Sequence, residues 1–174
     1  DHSLRRCGVR AWLIVNPTAG PWDVRRELPP VQRHLEKHGW RTSLFETTRP
    51  GEATALARQA VQEGIDAVFA VGGDGTLNEV VNGLAGSDVV LGALPGGTGN
   101  VWARELGLPT RSLRHRQPLV ESVQALVPGT VRRIDLGLAN GRYFLQWTGV
   151  GLDAEVTRIL EPRTRAQKHL GAVV

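Results

Sequence analysis

The sequence predicts an α/β fold, a parallel-sheet domain followed by the start of an antiparallel, β-rich one. Three observations carry this. Short apolar runs end in glycine-rich turns around 16–20, 72–75 and 95–100, and helical patterning resumes after the later two. Strand-like and amphipathic helical stretches alternate, an order that implies right-handed crossovers in a parallel sheet. Beyond Pro109 the pattern changes, and Val131 to Trp147 becomes two alternating strands around Asn140-Gly141, a hairpin turn pair.

Taken in order, Ala11 to Val15 is the first apolar strand and leads into Asn16-Pro17-Thr18-Ala19-Gly20. Trp22 to Leu28 reads as a short helix broken by Pro29-Pro30, and Val31 to His38 as a second helix ended by Gly39. Thr42 to Glu46 is the next strand. Glu52 to Glu63 sets Ala53, Leu56, Ala57, Ala60 and Val61 at helical spacing, with Gly64 as its stop, and should pack on the sheet. Ala67 to Val71 is a buried strand delivering Gly72-Gly73-Asp74-Gly75, after which Thr76 to Glu79 has the pattern of a helix-opening capping box. Val89 to Leu94 leads into Pro95-Gly96-Gly97-Thr98-Gly99-Asn100 and a helix from Val101 to Leu106 stopped by Gly107. A polar stretch, Arg111 to Pro118, precedes a helix over Leu119 to Leu126. These elements divide the chain into an N-terminal extension (1–10), an α/β domain (11–129) and the incomplete beginning of a β-rich domain (130–174).

The chemistry lies in the three turns. Gly72, Gly73 and Gly75 carry no Cβ and tolerate φ > 0, so a phosphate can approach their amides, while the following helix offers unpaired N–H groups and its positive dipole end. Asp74 would repel that phosphate unless a cation lies between them or a hydroxyl needs orienting, which points to a metal-bound nucleoside triphosphate. In an open parallel sheet the carboxyl ends of the strands share one edge, so the three turns should meet around one ligand.

Composition bounds the rest. The 174 residues, 41% hydrophobic, suffice for one ordinary domain or for one and part of another. The longest apolar runs are about five residues, far short of the ~20 that span a bilayer. A single cysteine, Cys7, excludes an internal disulfide and fits a reducing compartment, so a cytoplasmic location is expected. The formal charge of +4 rests almost wholly on arginine, which suits nucleotide phosphates or an anionic membrane surface. Arg111, Arg114, Arg116, Arg132 and Arg133 cluster in sequence without aromatic interleaving or a nucleic-acid motif, so a membrane or plain solvent is their expected neighbour. Only His34 and His38 of the five histidines are spaced i, i+4, and no carboxylate or cysteine set completes a zinc site.

Asn16-Pro17 with Gly20, the run Gly72 to Thr76 with Asn78-Glu79, and Pro95 to Asn100 with Ala103-Arg104 together resemble the catalytic domain of the diacylglycerol kinase family. Bacterial lipid kinases are the nearest in style, with sphingosine and ceramide kinases as cousins. The similarity runs from about Trp12 to the end of the chain. Its middle motif is shared with NAD kinases and partly with phosphofructokinases, whose nucleotide-binding domain is the expected architecture. The resemblance implies ATP and Mg2+ as cofactors, transfer of the γ-phosphoryl group to a lipid hydroxyl, and an enzyme that works at the inner face of the membrane without spanning it. It also implies a continuation through a β-rich lipid-binding domain with an Asp-Gly-Glu motif. That motif does not occur here, so the general base and further metal ligands are expected beyond Val174 and the chain reads as a fragment. The alternatives are an NAD kinase-like enzyme or a nucleotide-binding module without turnover.

Roles follow from the chemistry and the resemblance together. Gly72, Gly73, Gly75 and Thr76 would contact phosphates, Thr76 as helix cap or through its hydroxyl, and Asn16 and Thr98 would close the site from the flanking turns. Thr47 matches a nucleotide-contacting threonine of bacterial members and also suits a plain strand end. Asp74 is the expected catalytic residue, orienting the magnesium-bound triphosphate or assisting deprotonation of the acceptor hydroxyl. Glu79 is expected to be structural, Asn78 and Asn100 to rigidify their loops, Asn82 to lie at the surface, and Arg104 either to reach a phosphate or to be solvated. Asp153 resembles a lipid-headgroup position in sphingosine kinases.

Overall fold

Four strands, β1 (Arg10–Val15), β2 (Arg41–Glu46), β3 (Ala67–Gly72) and β4 (Val90–Pro95), pair in parallel in the order β2-β1-β3-β4. The computed structural model describes residues 8–146 together with 149, 151, 154 and 155. Five helices, α1 (Leu28–Lys37), α2 (Glu52–Gln62), α3 (Asp74–Leu84), α4 (Val101–Glu105) and α5 (Pro118–Leu126), connect or cover the strands. Every residue of β3 is buried, as in a strand covered on both faces.

The two faces are built from alternate residues. Leu13 and Val15 of β1 join Phe69, Val71 and Leu94 in packing on Leu28, Val31 and Leu35 of α1 and Leu119 and Val123 of α5. Trp12 and Ile14 join Val68, Ala70 and Ala93 against Ala53, Ala57 and Ala60 of α2 and Leu77, Val80 and Leu84 of α3. Each large side chain removed from water here contributes roughly 1.5–3 kcal/mol, so a one-residue slip in register, which would exchange the faces, is strongly disfavoured. The first crossover carries the chain from β1 to β2, and the next returns it to β3 on the other side of β1. The switch point therefore lies between β1 and β3, where ligands of such sheets bind.

Several local expectations are corrected. Pro29-Pro30 does not break a helix but sits in the first turn of α1, where a missing N–H leaves no hydrogen bond unmade; only a short 3-10 turn, Val24–Glu27, precedes it. Glu27 is buried at its end, accepting the Leu119 N–H at 2.9 Å and pairing with Arg111 at 3.3 Å, and burial pushes its pKa above the usual carboxylate value. α3 begins at Asp74, two residues before the expected capping box, because the Gly73 carbonyl already accepts from the Leu77 N–H at 3.0 Å. Glu79 consequently caps another helix: its carboxylate accepts the Gly51 N–H at the start of α2, at 3.0 Å.

The hairpin is shorter than 131–147, with β5 (Gly137–Ala139) and β6 (Arg142–Phe144) antiparallel around Asn140 and Gly141 at φ 50° and 76°, the signs a two-residue primed turn requires. Asn82, expected at the surface, grips it. Its amide nitrogen donates to the Tyr143 carbonyl at 2.8 Å and its oxygen accepts the Tyr143 N–H at 2.9 Å, as a neighbouring strand would. Asp153 lies outside the described residues, as does all of the Asp153 to Leu160 stretch except 154 and 155.

Candidate functional site

At the carboxyl edge of the sheet the strand ends are knitted by backbone bonds. The Thr47 N–H donates to Val15 O at 2.8 Å, Asn16 N–H to Val71 O at 2.9 Å and Gly96 N–H to Gly72 O at 2.8 Å. Residues 16–20, 72–75 and 95–100 are thereby brought together, as the sequence anticipates, with the start of α3 between them.

The glycines work differently from the expectation. None of Gly72, Gly73 and Gly75 has φ in the left-handed region. What two of them lack is room. A Cβ on Gly72 would stand 2.6 Å from Thr76 Oγ1, and one on Gly97 would stand 2.3 Å from the Gly73 Cα. A Cβ on Gly20 would meet the Gly96 carbonyl at 2.4 Å. These contacts are mostly backbone against backbone, so the three loops are pressed into one block. Gly75 is the exception, exposed with nothing within 4 Å of its missing Cβ.

Polar groups orient the block. Asn16 donates to Thr76 Oγ1 at 3.1 Å while its carbonyl oxygen accepts the Thr18 N–H at 3.0 Å, so the first loop is held to the buried Thr76. Thr76 is thus an interior residue of the first turn and not the cap. Asn100 clamps its own loop, accepting the Gly97 N–H at 2.9 Å and donating to the Gly97 carbonyl at 2.7 Å, as anticipated. The Thr98 hydroxyl is buried and has no protein partner. Thr47 Oγ1 donates to Val15 O at 3.3 Å, a strand-end contact.

Asp74 opens α3, yet its Oδ1 accepts the Trp102 N–H in the first turn of α4 at 3.2 Å. No side chain caps α3 itself, which leaves first-turn N–H groups and the positive dipole end available at the switch point. Among the described residues no group of three or more His, Cys, Asp or Glu could cage a metal. The open amides suit phosphate oxygens, and a lone carboxylate suits Mg2+ only in their company, since that ion keeps several waters and takes phosphate oxygens along with one or two carboxylates.

Asp74 also faces a crevice of about 180 Å³ that sequence reasoning did not anticipate, lined by Leu77, Asn78, Phe144, Leu145 and Gln146. Gln146 contributes a buried amide nitrogen without a protein partner. Only the hairpin signal hinted at this, and nothing local showed that Asn82 would dock it there. Arg104 is not brought to the loops; it is exposed and lines a separate hollow with Gly107 and His115.

A family model described as the diacylglycerol kinase catalytic domain matches residues 10–139. A diacylglycerol kinase of Bacillus subtilis is 41% identical over 150 residues, 85% of this chain and 48% of its own length. The diacylglycerol kinase of Staphylococcus saprophyticus is 38% identical, again over 85% of this chain and 47% of its own. The crystal structure of a diacylglycerol kinase from Bacillus anthracis superposes with a TM-score of 0.68 at 31% identity, covering 88% of this chain and 51% of that one. The chain therefore spans about half the length of the relatives it matches. With the model covering most of the chain and the loops arranged as described, the protein belongs to the diacylglycerol kinase catalytic domain family.

Proposed function

We propose that this chain carries the ATP-binding part of a lipid kinase, which moves the γ-phosphoryl group of ATP to a hydroxyl of a membrane lipid such as diacylglycerol. The observation that carries the reading is the uncapped start of α3, held at the switch point by three mutually packed loops with Asp74 as its first residue. The Gly75 amide and its first-turn neighbours bind phosphate oxygens, and the Thr98 hydroxyl supplies a donor otherwise without a partner. Asn16 holds Thr76 so that this turn keeps its aim. Asp74, fixed through the Trp102 N–H, would help hold Mg2+ or orient the acceptor hydroxyl at the crevice that Phe144 also lines. Mg2+, when bound, neutralises charge developing on the transferred group, so catalysis is mostly positioning and electrostatics. Thr47 adds a nucleotide contact at the end of β2. The division near residue 130, with the lipid-binding part beginning at the hairpin, belongs to this reading. Peripheral membrane work in the cytoplasm belongs to it as well. No helix among the described residues is long and apolar enough to cross a membrane.

The test is calorimetric titration of the chain with Mg-ATP, alongside Gly73→Val and Asp74→Asn and with NAD as competitor. A side chain on Gly73 starts 3.3 Å from the Gly97 Cα, so Gly73→Val should lose measurable binding. Asp74→Asn should weaken the magnesium-dependent part and lower any transfer of labelled phosphate into chloroform-soluble lipid by about 10²–10³-fold. Absence of binding in a chain whose circular dichroism shows it folded would overturn the nucleotide site. Displacement of ATP by NAD would redirect it to a dinucleotide, and binding without transfer would mark a module that does not turn over.

A further inference from the structure

Leu113 is 92% exposed, the most exposed large apolar residue among those described. It is not on a slack loop. The Ser112 N–H donates to the His115 carbonyl at 3.1 Å and the His115 N–H to Ser112 Oγ at 3.1 Å, closing a tight turn whose two tip residues are Leu113 and Arg114. Both feet of the turn are pinned. Arg111 pairs with the buried Glu27 at 3.3 Å and lies 5.6 Å from the centre of the Trp22 ring. His115 is bound through Nδ1 to the Glu121 carboxylate on α5. A fixed turn that holds a leucine in water loses hydrophobic stabilisation that burial elsewhere would have given.

Charge tells what it meets. The structure divides the arginine cluster seen in the sequence: Arg111 and Arg133 are engaged by Glu27 and Asp88, whereas Arg114, Arg116 and Arg132 are exposed and form no ion pair among the described residues. Arg104, exposed as well, lies across the hollow that His115 and Glu121 line. The tip thus presents Leu113 beside Arg114, with Arg116 two residues on and Arg104 across the adjoining hollow, while Glu27 and Glu121 are occupied by the pinning contacts. That pattern matches the boundary of an anionic bilayer, where a leucine enters the acyl region and arginines stay among headgroups.

We propose that the 111–116 turn is a membrane-contact device, with Leu113 as the inserting residue and Arg104, Arg114 and Arg116 as the headgroup contacts. It deepens the lipid-kinase reading by naming the surface that meets the membrane, and rests on that reading only for its purpose. The experiment is co-sedimentation of the chain with vesicles of equal parts phosphatidylglycerol and phosphatidylcholine, and with phosphatidylcholine alone. Binding should require phosphatidylglycerol and weaken with salt. Leu113→Ser should lower partitioning by about tenfold, and Arg114→Glu and Arg116→Glu by about fivefold or more each. Ile134→Ser, at another exposed apolar position, should leave it unchanged. No vesicle binding, equal binding to both vesicles, or a loss no larger for Leu113→Ser than for Ile134→Ser overturns the proposal. Mg-ATP titration of the unaltered chain separates the two readings: if it binds ATP but not vesicles, only the membrane device falls, and if it binds vesicles through the tip but not ATP, only the kinase reading falls.

Discussion

Two helix starts on the same side of the sheet, each opening on a glycine without a side-chain cap of its own, differ in what their neighbours supply. α2 opens amid acceptors: Glu79 takes the Gly51 N–H, and Glu52 turns back to the Thr48 N–H at 2.7 Å and its hydroxyl at 3.1 Å, contacts that hold the Glu52 pKa below its usual value. α3 opens with no capping side chain, and its own acid, Asp74, serves α4 instead. An acidic residue in the first turn is thus no guide to whether that helix is capped. A helix end that its neighbours satisfy is part of the architecture, whereas one left open beside a rigid backbone block is available to an anion.

That contrast can be broken by crowding the open end. Gly97→Ala puts a Cβ 2.3 Å from the Gly73 Cα and 2.9 Å from its nitrogen, and neither is a side chain that can swing away. We expect a loss of about 2–3 kcal/mol in urea unfolding, together with loss of Mg-ATP binding. A variant of unchanged stability would show that the loops are not packed as described. At the satisfied end, Glu79→Ala removes the acceptor from Gly51 and should cost about 1 kcal/mol, with Mg-ATP affinity intact. A drop in affinity without a drop in melting temperature would instead assign Glu79 to the site. The smallest effect sharpens the contrast most. Gly75→Ala adds a methyl group to open space within a helix, so it should stabilise the fold by about 0.5–1 kcal/mol. If phosphate approaches that amide, the same substitution should weaken Mg-ATP, and stability and affinity will move in opposite directions.

Much of this was legible because strand, turn and helix signals are local. Ala67 to Val71 ahead of Gly72-Gly73-Asp74-Gly75 needs no partner to be read, and neither does Asn140-Gly141. The convergence of the loops followed from one rule about parallel sheets. The failures were long-range or a matter of degree. Thr76 and Glu79 have the right spacing for a capping box, but the carboxylate finds Gly51, 28 residues away in sequence, because α2 and α3 pack closely where Gly83 stands against Ala57. Asn82 looked like a solvated helix residue since its partner, Tyr143, is 61 residues distant. Pro29-Pro30 reads as an interruption in the sequence, yet prolines in a helix's first turn leave no helical hydrogen bond unmade. Gly72, Gly73 and Gly75 suggest backbone freedom in the sequence, whereas Gly72 and Gly73 are small because of tight packing, a distinction that sequence alone does not draw. Arg111 and Arg114 were alike until Glu27 chose between them.

The grip of Asn82 on Tyr143 also makes α3 a ruler. Asp74 and Asn82 are eight residues apart, about 12 Å along the axis at the usual helical rise, and one rigid rod joins the loop block to the hairpin. A single residue inserted between Gly75 and Asn82 would lengthen the rod by ~1.5 Å and swing the asparagine about 100° around it. The Tyr143 backbone would then face a different side chain, and Phe144 to Gln146 would no longer roof the crevice over Asp74. The distance between the two halves of that crevice is therefore counted in helical residues, and any redesign of one half must keep the count.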